Sequence, residues 1–112
     1  MPAIHALRRL PCALLLAASL SAVATPGRAE TITVVIEKLA FSPAEVKAKV
    51  GDTISWVNKD VFAHTSTARD KSFEVVQPPK KTVSQTLTKA GAFDYYCKYH
   101  PNMKGRLIVE AK

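Results

Sequence analysis

The chain has 112 residues, with 16 Lys and Arg against nine Asp and Glu, and a formal net charge of +7. A chain of this length can bury one hydrophobic core, so two independently folded domains are excluded. It contains only two Cys, three His and two Met, so each of these chemically distinctive residues can be considered individually.

The first 29 residues have the pattern of a secretory signal peptide. The basic pair Arg8 and Arg9 precedes an apolar run over residues 12–18, and the sequence Gly-Arg-Ala stands at 27–29. This order is that of an export signal, with cleavage expected after residue 29. The apolar run is shorter than the ~20 residues needed to span a bilayer. We therefore expect residues 30–112 to form one domain in the periplasm, without a membrane span.

Removal of this leader changes the residues that are available for chemistry. The remaining 83 residues have 13 basic and nine acidic side chains, a formal charge of +4, and Cys97 as their single cysteine. Their only histidines are His64 and His100, and their only methionine is Met103. An exported domain with one cysteine cannot form an internal disulfide, so Cys97 needs another explanation. The modest charge, without a basic and aromatic platform, does not indicate nucleic-acid binding.

The expected domain has the pattern of an all-β protein. Residues 31–36 are rich in β-branched side chains, and residues 46–50 alternate apolar side chains with lysines; both are strand patterns. Further strands are predicted at 53–58, just after His64, and at 72–76, 83–87, 93–97 and 106–110. No convincing amphipathic helix pattern is present. Seven or eight short strands separated by turn signals predict a Greek-key antiparallel β-sandwich.

Tyr95 lies two residues before Cys97, at the end of a predicted strand. This is the spacing of a tyrosine corner, in which the tyrosine hydroxyl bonds to the backbone a few residues upstream. An ordinary core tyrosine would have the same spacing, so both interpretations stay open.

The segment Cys-x2-His-x2-Met places Cys97, His100 and Met103 within seven residues, directly after a predicted strand. His64 lies well upstream in a loop, and a loop at the same end of the sandwich could bring its imidazole to the other three side chains. Two imidazoles, one thiolate and one weak axial thioether are the ligand set of a blue, or type 1, copper centre. The sequence therefore predicts one copper ion as the cofactor.

Taken one at a time, these residues have ordinary explanations, because lone Cys and Met residues are usually buried packing residues. Zinc is the main alternative metal, but structural zinc sites show paired Cys or His halves, and neither is present. A binuclear copper centre needs a second Cys, and copper enzymes need additional histidines. Since no histidine remains as a base, we do not expect an enzyme. A one-electron carrier is predicted, with copper storage or delivery as the alternative.

The residues around these ligands resemble those of the cupredoxins, and the short ligand loop is similar to that of the amicyanin-like members. Matching segments lie at 50–58, 63–64, 90–97 and 103–105. The resemblance implies that His64, Cys97 and His100 hold copper in a near-trigonal plane, with Met103 axial and the more exposed His100 as the electron port. It also implies a monomeric carrier whose redox protein partner is a periplasmic dehydrogenase or a cytochrome c.

Two positions depart from the amicyanin-like pattern. Thr65 follows the first histidine where an asparagine commonly braces the site, and Asn102 replaces an aromatic residue of the ligand loop. We therefore expect a weaker apolar docking surface around His100.

Three basic residues, Lys98, Lys104 and Arg106, flank the ligand loop. They could simply form a solvated face. They could also form a positive rim that steers an acidic redox partner toward the site, an effect that salt would weaken.

Overall fold

The computed structural model describes residues 27–112, in which nine strands form two packed sheets. The strands are β1 (Thr31–Glu37), β2 (Ala40–Ser42), β3 (Glu45–Lys49), β4 (Thr53–Asn58), β5 (His64–Ala68), β6 (Glu74–Gln77), β7 (Thr82–Thr86), β8 (Gly91–Tyr96) and β9 (Lys104–Glu110). One sheet has the order β2-β1-β4-β7 and the other β3-β9-β8-β5-β6. The predicted all-β sandwich is confirmed. Of the predicted leader, residues 1–26 lie outside the described range.

The structure differs from the predicted sandwich in its strand count and in two pairings. Strand β2 was not predicted, because three residues are too short to show a period. Strands β1 and β4 pair in parallel, as do β3 and β9. The chain crosses to the second sheet at β3 and returns at β4, so β4 runs beside β1 in the same direction. Among the described residues no helix is long and apolar enough to cross a membrane.

Aromatic side chains from both sheets meet in the core. Trp56 and Phe41 come from the first sheet and Tyr95 from the second, and all three are buried. The ring centroid of Tyr95 lies 4.9 Å from that of Phe41 and 5.4 Å from that of Trp56, in edge-to-face arrangements. Such pairs contribute about 0.5–1.5 kcal/mol each beyond their buried area. This cluster fixes the position of β8, which leads directly into Cys97.

The ring of Tyr95 packs against the backbone of β9 at Gly105, its partner in the β8–β9 register. A Cβ atom at position 105 would overlap the ring and hydroxyl of Tyr95, so this close approach requires glycine. The hydroxyl is buried and finds no hydrogen-bond partner in the described part of the chain. Burial raises the pKa of the Tyr95 phenol above its usual value. Tyr95 is thus an ordinary core tyrosine, and the hydrogen bond of a tyrosine corner is not formed.

Because the Tyr95 hydroxyl is buried without a partner, we expect Tyr95→Phe to leave the free energy of unfolding unchanged within about 1 kcal/mol, or to raise it. Equilibrium denaturation in urea measures this. Gly105→Ala is the contrasting variant, since overpacking against the same ring is expected to cost about 1–3 kcal/mol. A large loss of stability in Tyr95→Phe would mean that the hydroxyl has a partner after all.

Candidate metal centre

The three predicted nitrogen and sulfur ligands meet at one end of the sandwich, which we call the ligand pole. The Sγ atom of Cys97 lies 3.7 Å from Nδ1 of His64 and 3.7 Å from Nδ1 of His100. The three ligand atoms lie within 4.8 Å of one another. Metal–ligand bonds of about 2.0–2.3 Å at roughly 120° would separate sulfur and nitrogen by about 3.7 Å. The spacing therefore fits a single metal ion in a plane of two nitrogens and one sulfur.

Strand pairing explains why residues distant in sequence converge here. His64 is the first residue of β5, and Cys97 follows the last residue of β8. The two strands are antiparallel neighbours in the same sheet. The start of one therefore lies beside the end of the other, at the ligand pole. His100 then lies in the loop between β8 and β9.

Backbone hydrogen bonds fold the ligand loop back on itself. The N–H of His100 donates to the carbonyl of Cys97 at 3.3 Å, and the N–H of Met103 donates to the carbonyl of His100 at 2.8 Å. The N–H of Cys97 closes the loop by donating to the carbonyl of Met103 at 3.1 Å. The two residues between Cys97 and His100, and the two between His100 and Met103, form these turns. The turns bring the buried Met103 back beside Cys97.

The two histidines differ in exposure. His64 and Cys97 are completely buried, whereas His100 is half-buried. The imidazole rings of His64 and His100 lie 5.0 Å apart between centroids. The Phe62 ring lies 6.0 Å from the His100 ring. The expectation that His100 is the more exposed histidine is confirmed.

Thr65 braces both the sulfur and the ligand loop. Its N–H donates to Sγ of Cys97 at 3.3 Å. Its Oγ1 accepts a 2.9 Å hydrogen bond from the N–H of Lys98 and lies 3.0 Å from Oγ1 of Thr67. The residue that departs from the amicyanin-like pattern thus ties β5 to the ligand loop through its hydroxyl.

Asp60 is a functional residue that the sequence analysis missed. Its Oδ2 lies 2.9 Å from Nε2 of His64, the ring nitrogen that faces away from the sulfur. A carboxylate acceptor on that nitrogen fixes the tautomer and orientation of a ligating histidine. The only sequence signal for this role is the position of Asp60, four residues before the candidate ligand His64. The side chain of Asp60 is only 13% exposed.

Asp60 is itself held by the turn between β1 and β2. The N–H of Lys38 donates to Oδ1 at 2.8 Å, and the N–H of Leu39 donates to Oδ2 at 3.1 Å. Both turn residues have left-handed backbones, with φ of 54° and 61°. Burial acts to raise the pKa of Asp60, but hydrogen bonds from Leu39, His64 and Lys38 outweigh it and lower that pKa. The carboxylate is therefore ionised and accepts from three donors.

Loss of the Asp60 carboxylate should loosen the orientation of the His64 ring. We expect Asp60→Ala to weaken Cu(II) binding about 10- to 100-fold, the usual effect of removing the partner of a ligating histidine. Competition against a chelator of known affinity measures it.

Asp52→Ala is the matched control, because the Asp52 carboxylate also accepts two backbone N–H groups, from Glu30 and Lys49, at the opposite end of the sandwich. It should lower the melting temperature and leave the Cu(II) affinity unchanged. Equal Cu(II) affinities of Asp60→Ala and the unmodified protein would contradict the positioning role of Asp60.

Comparison with known proteins agrees with this geometry. A family model described as a cupredoxin-like domain matches residues 10–109. The methylamine utilization protein MauL of Methylorubrum extorquens is 35% identical over 101 residues, which cover 87% of this chain and 89% of that protein. Amicyanin of Paracoccus denitrificans is 34% identical over 85 residues, which cover 70% of this chain but only 65% of the length of that protein.

A solved structure agrees as well. The crystal structure of amicyanin from Paracoccus versutus superposes with a TM-score of 0.62 and 31% identity, over 78% of this chain and 86% of that one. The amicyanin-like resemblance is thus confirmed, and the cluster of His64, Cys97, His100 and Met103 fits a type 1 copper site. With a family model over most of its length and a relative matched almost end to end, the chain belongs to the cupredoxin family.

Proposed function

We propose that the protein is a type 1 copper protein that carries one electron at a time between redox partners, and is not an enzyme. The observation that carries this proposal is the placement of the Cys97 sulfur 3.7 Å from an imidazole nitrogen of His64 and 3.7 Å from one of His100, the half-buried histidine. His64, Cys97 and His100 would hold the ion in a plane, with Met103 as the weak axial ligand. The copper ion, when bound, supplies a reversible Cu(I)/Cu(II) couple.

The residues around the site keep the ligands in place in both oxidation states. Asp60 fixes the ring of His64, and the N–H of Thr65 fixes the sulfur of Cys97. Ligands held by independent hydrogen bonds need to move little when the charge of the site changes, which favours rapid electron transfer. The N–H donated to the sulfur also stabilises the more negative, reduced state of the site and so raises the reduction potential.

Water is kept away from most of the ligand set. His64 and Cys97 are fully buried, and Met103 is 3% exposed, so His100 alone connects the site to the surface. This single half-buried ring supplies a short route for an electron. Since both histidines of residues 30–112 belong to this site, no histidine remains as a general base or for a second metal.

We further propose that residues 1–29 are an export signal and that residues 30–112 act in the periplasm as a monomer. The basic, apolar and small-residue order of the leader supports this placement. A dehydrogenase or a c-type cytochrome of the same compartment is the proposed partner. The buried free thiol of Cys97 is consistent with export, because a metal-bound thiolate is protected from oxidative pairing.

Loading residues 30–112 with Cu(II) should give an intense visible absorption band from charge transfer between the Cys97 thiolate and copper. Cys97→Ser should abolish the band. Met103→Leu should keep it and shift the reduction potential, because the axial thioether is a weak ligand. Visible spectroscopy and cyclic voltammetry measure these properties. A colourless protein that takes up zinc but not copper would contradict the proposed function.

The same preparation separates a carrier from a copper-delivery module. A carrier should give a reversible one-electron wave and keep its ion in the presence of an apo-acceptor protein. Transfer of the ion to such an acceptor, without reversible cycling, would instead identify a delivery protein.

A further inference from the structure

Three loop segments beside His64 are joined into one surface. The carboxylate of Asp60 accepts the N–H groups of the β1–β2 turn, and the carbonyl of Asp60 accepts the N–H of Lys80 at 3.2 Å. The side-chain amide of Asn58 donates to the carbonyls of Phe62 at 2.8 Å and Pro78 at 3.1 Å. The β1–β2 turn, the β4–β5 loop and the β6–β7 loop therefore form a continuous side of the ligand pole, which we call the lysine flank.

The lysine flank carries an excess of positive charge. Its four lysines are all exposed, and none forms an ion pair with another described residue; they are Lys38, Lys59, Lys80 and Lys81. The one acid among these loop residues is Asp60, whose carboxylate already accepts three hydrogen bonds. The ammonium of Lys80 donates to the carbonyl of Lys59 at 2.6 Å and keeps its charge. The exposed acid Glu37 adjoins the flank at the end of β1, so a negative group approaching this surface finds four ammonium groups against one exposed carboxylate.

The basic residues that flank the ligand loop have a different environment. The basic rim predicted from the sequence consists of Lys98, Lys104 and Arg106. Lys98 pairs with Glu74 at 3.1 Å and Arg106 with Asp94 at 3.4 Å, whereas the exposed Lys104 forms no ion pair with another described residue. Both acids are exposed, at 43% and 60%. Mixed charges of this kind give little net field. The rim thus keeps one lysine without an ion pair, whereas the lysine flank has four.

Apolar side chains lie between the lysine flank and the half-buried histidine. Val61 is 66% exposed and Phe62 is 55% exposed, both in the β4–β5 loop. The Phe62 ring lies 6.0 Å from the His100 ring. Tyr99, 56% exposed, neighbours His100 in the ligand loop. These side chains offer apolar area that a docked partner can desolvate.

We propose that an acidic redox protein docks on the lysine flank, covering Val61 and Phe62, so that His100 faces the redox centre of that partner. This inference rests on the proposed electron-carrier function. Complementary charge steers the encounter and orients the partner, while the apolar contact beside His100 sets the final distance. A basic partner would be repelled by the same four lysines.

The test replaces two lysines of the flank, Lys59 and Lys81, with glutamate. The reduction of two c-type cytochromes, one acidic and one basic, by the Cu(I) protein is followed by stopped flow at low and high ionic strength. The unmodified protein should reduce the acidic cytochrome faster, and added salt should remove this advantage. The double substitution should slow reduction of the acidic cytochrome about tenfold at low salt and speed reduction of the basic one.

The matched control carries Lys47→Glu and Lys89→Glu, the same change of net charge on exposed residues away from the ligand pole. It should alter the rates far less than the flank variant. Equal rate changes in the two variants, or rates independent of salt, would overturn the docking proposal alone. A Cu(I) protein that reduces neither cytochrome nor ferricyanide would overturn the carrier function, and the docking proposal with it.

Discussion

The antiparallel pairing of β5 with β8 is the constraint on which the site depends. Backbone pairing between the two strands joins Thr67 to Tyr96 and Ala68 to Tyr95. Closer to the ligand pole, side-chain atoms take part in the hydrogen bonds between them. There the N–H of Thr65 donates to the sulfur of Cys97, and the hydroxyl of Thr65 accepts the N–H of Lys98. The candidate metal site thus continues a strand pairing, with the sulfur of Cys97 in the place of a backbone carbonyl. A buried N–H needs an acceptor, so the sheet itself fixes the sulfur.

The ligands are held by groups from both sheets, and this connects the site to the whole sandwich. Thr65 belongs to the second sheet, whereas the turn that holds Asp60 joins two strands of the first. His64 therefore has a backbone anchored in one sheet and a ring oriented through the other. Sliding of the sheets would break hydrogen bonds at buried groups, each of which costs about 1–3 kcal/mol when left unsatisfied. The packing of Trp56 and Tyr95 between the sheets opposes such sliding.

Residue type and spacing carried enough information to predict the all-β fold and a set of candidate copper ligands, three of which the structure brings within 4.8 Å of one another. Alternation marked β3 and β4, and the Cys-x2-His-x2-Met spacing identified the ligand loop. The role of Asp60 could not be predicted in the same way, because it depends on a left-handed turn at Lys38 and Leu39 that no period reveals. The lysine flank was also invisible, since folding alone brings its three loops together. The spacing of Tyr95 was compatible with a tyrosine corner and with an ordinary core tyrosine. Only the packing of its ring against β9 decides between the two.

The carboxylate of Asp60 also couples the orientation of the His64 ring to the shape of the surface that a partner contacts. The loop that presents Val61 and Phe62 to a partner is the loop whose aspartate orients the buried ligand His64. An insertion or deletion between Asn58 and His64 would therefore change the metal environment along with the contact surface. We therefore expect partner preference to change by substitution of exposed side chains on this loop, while the loop keeps its length. The geometry of the metal centre restricts the lengths that its docking loops can have.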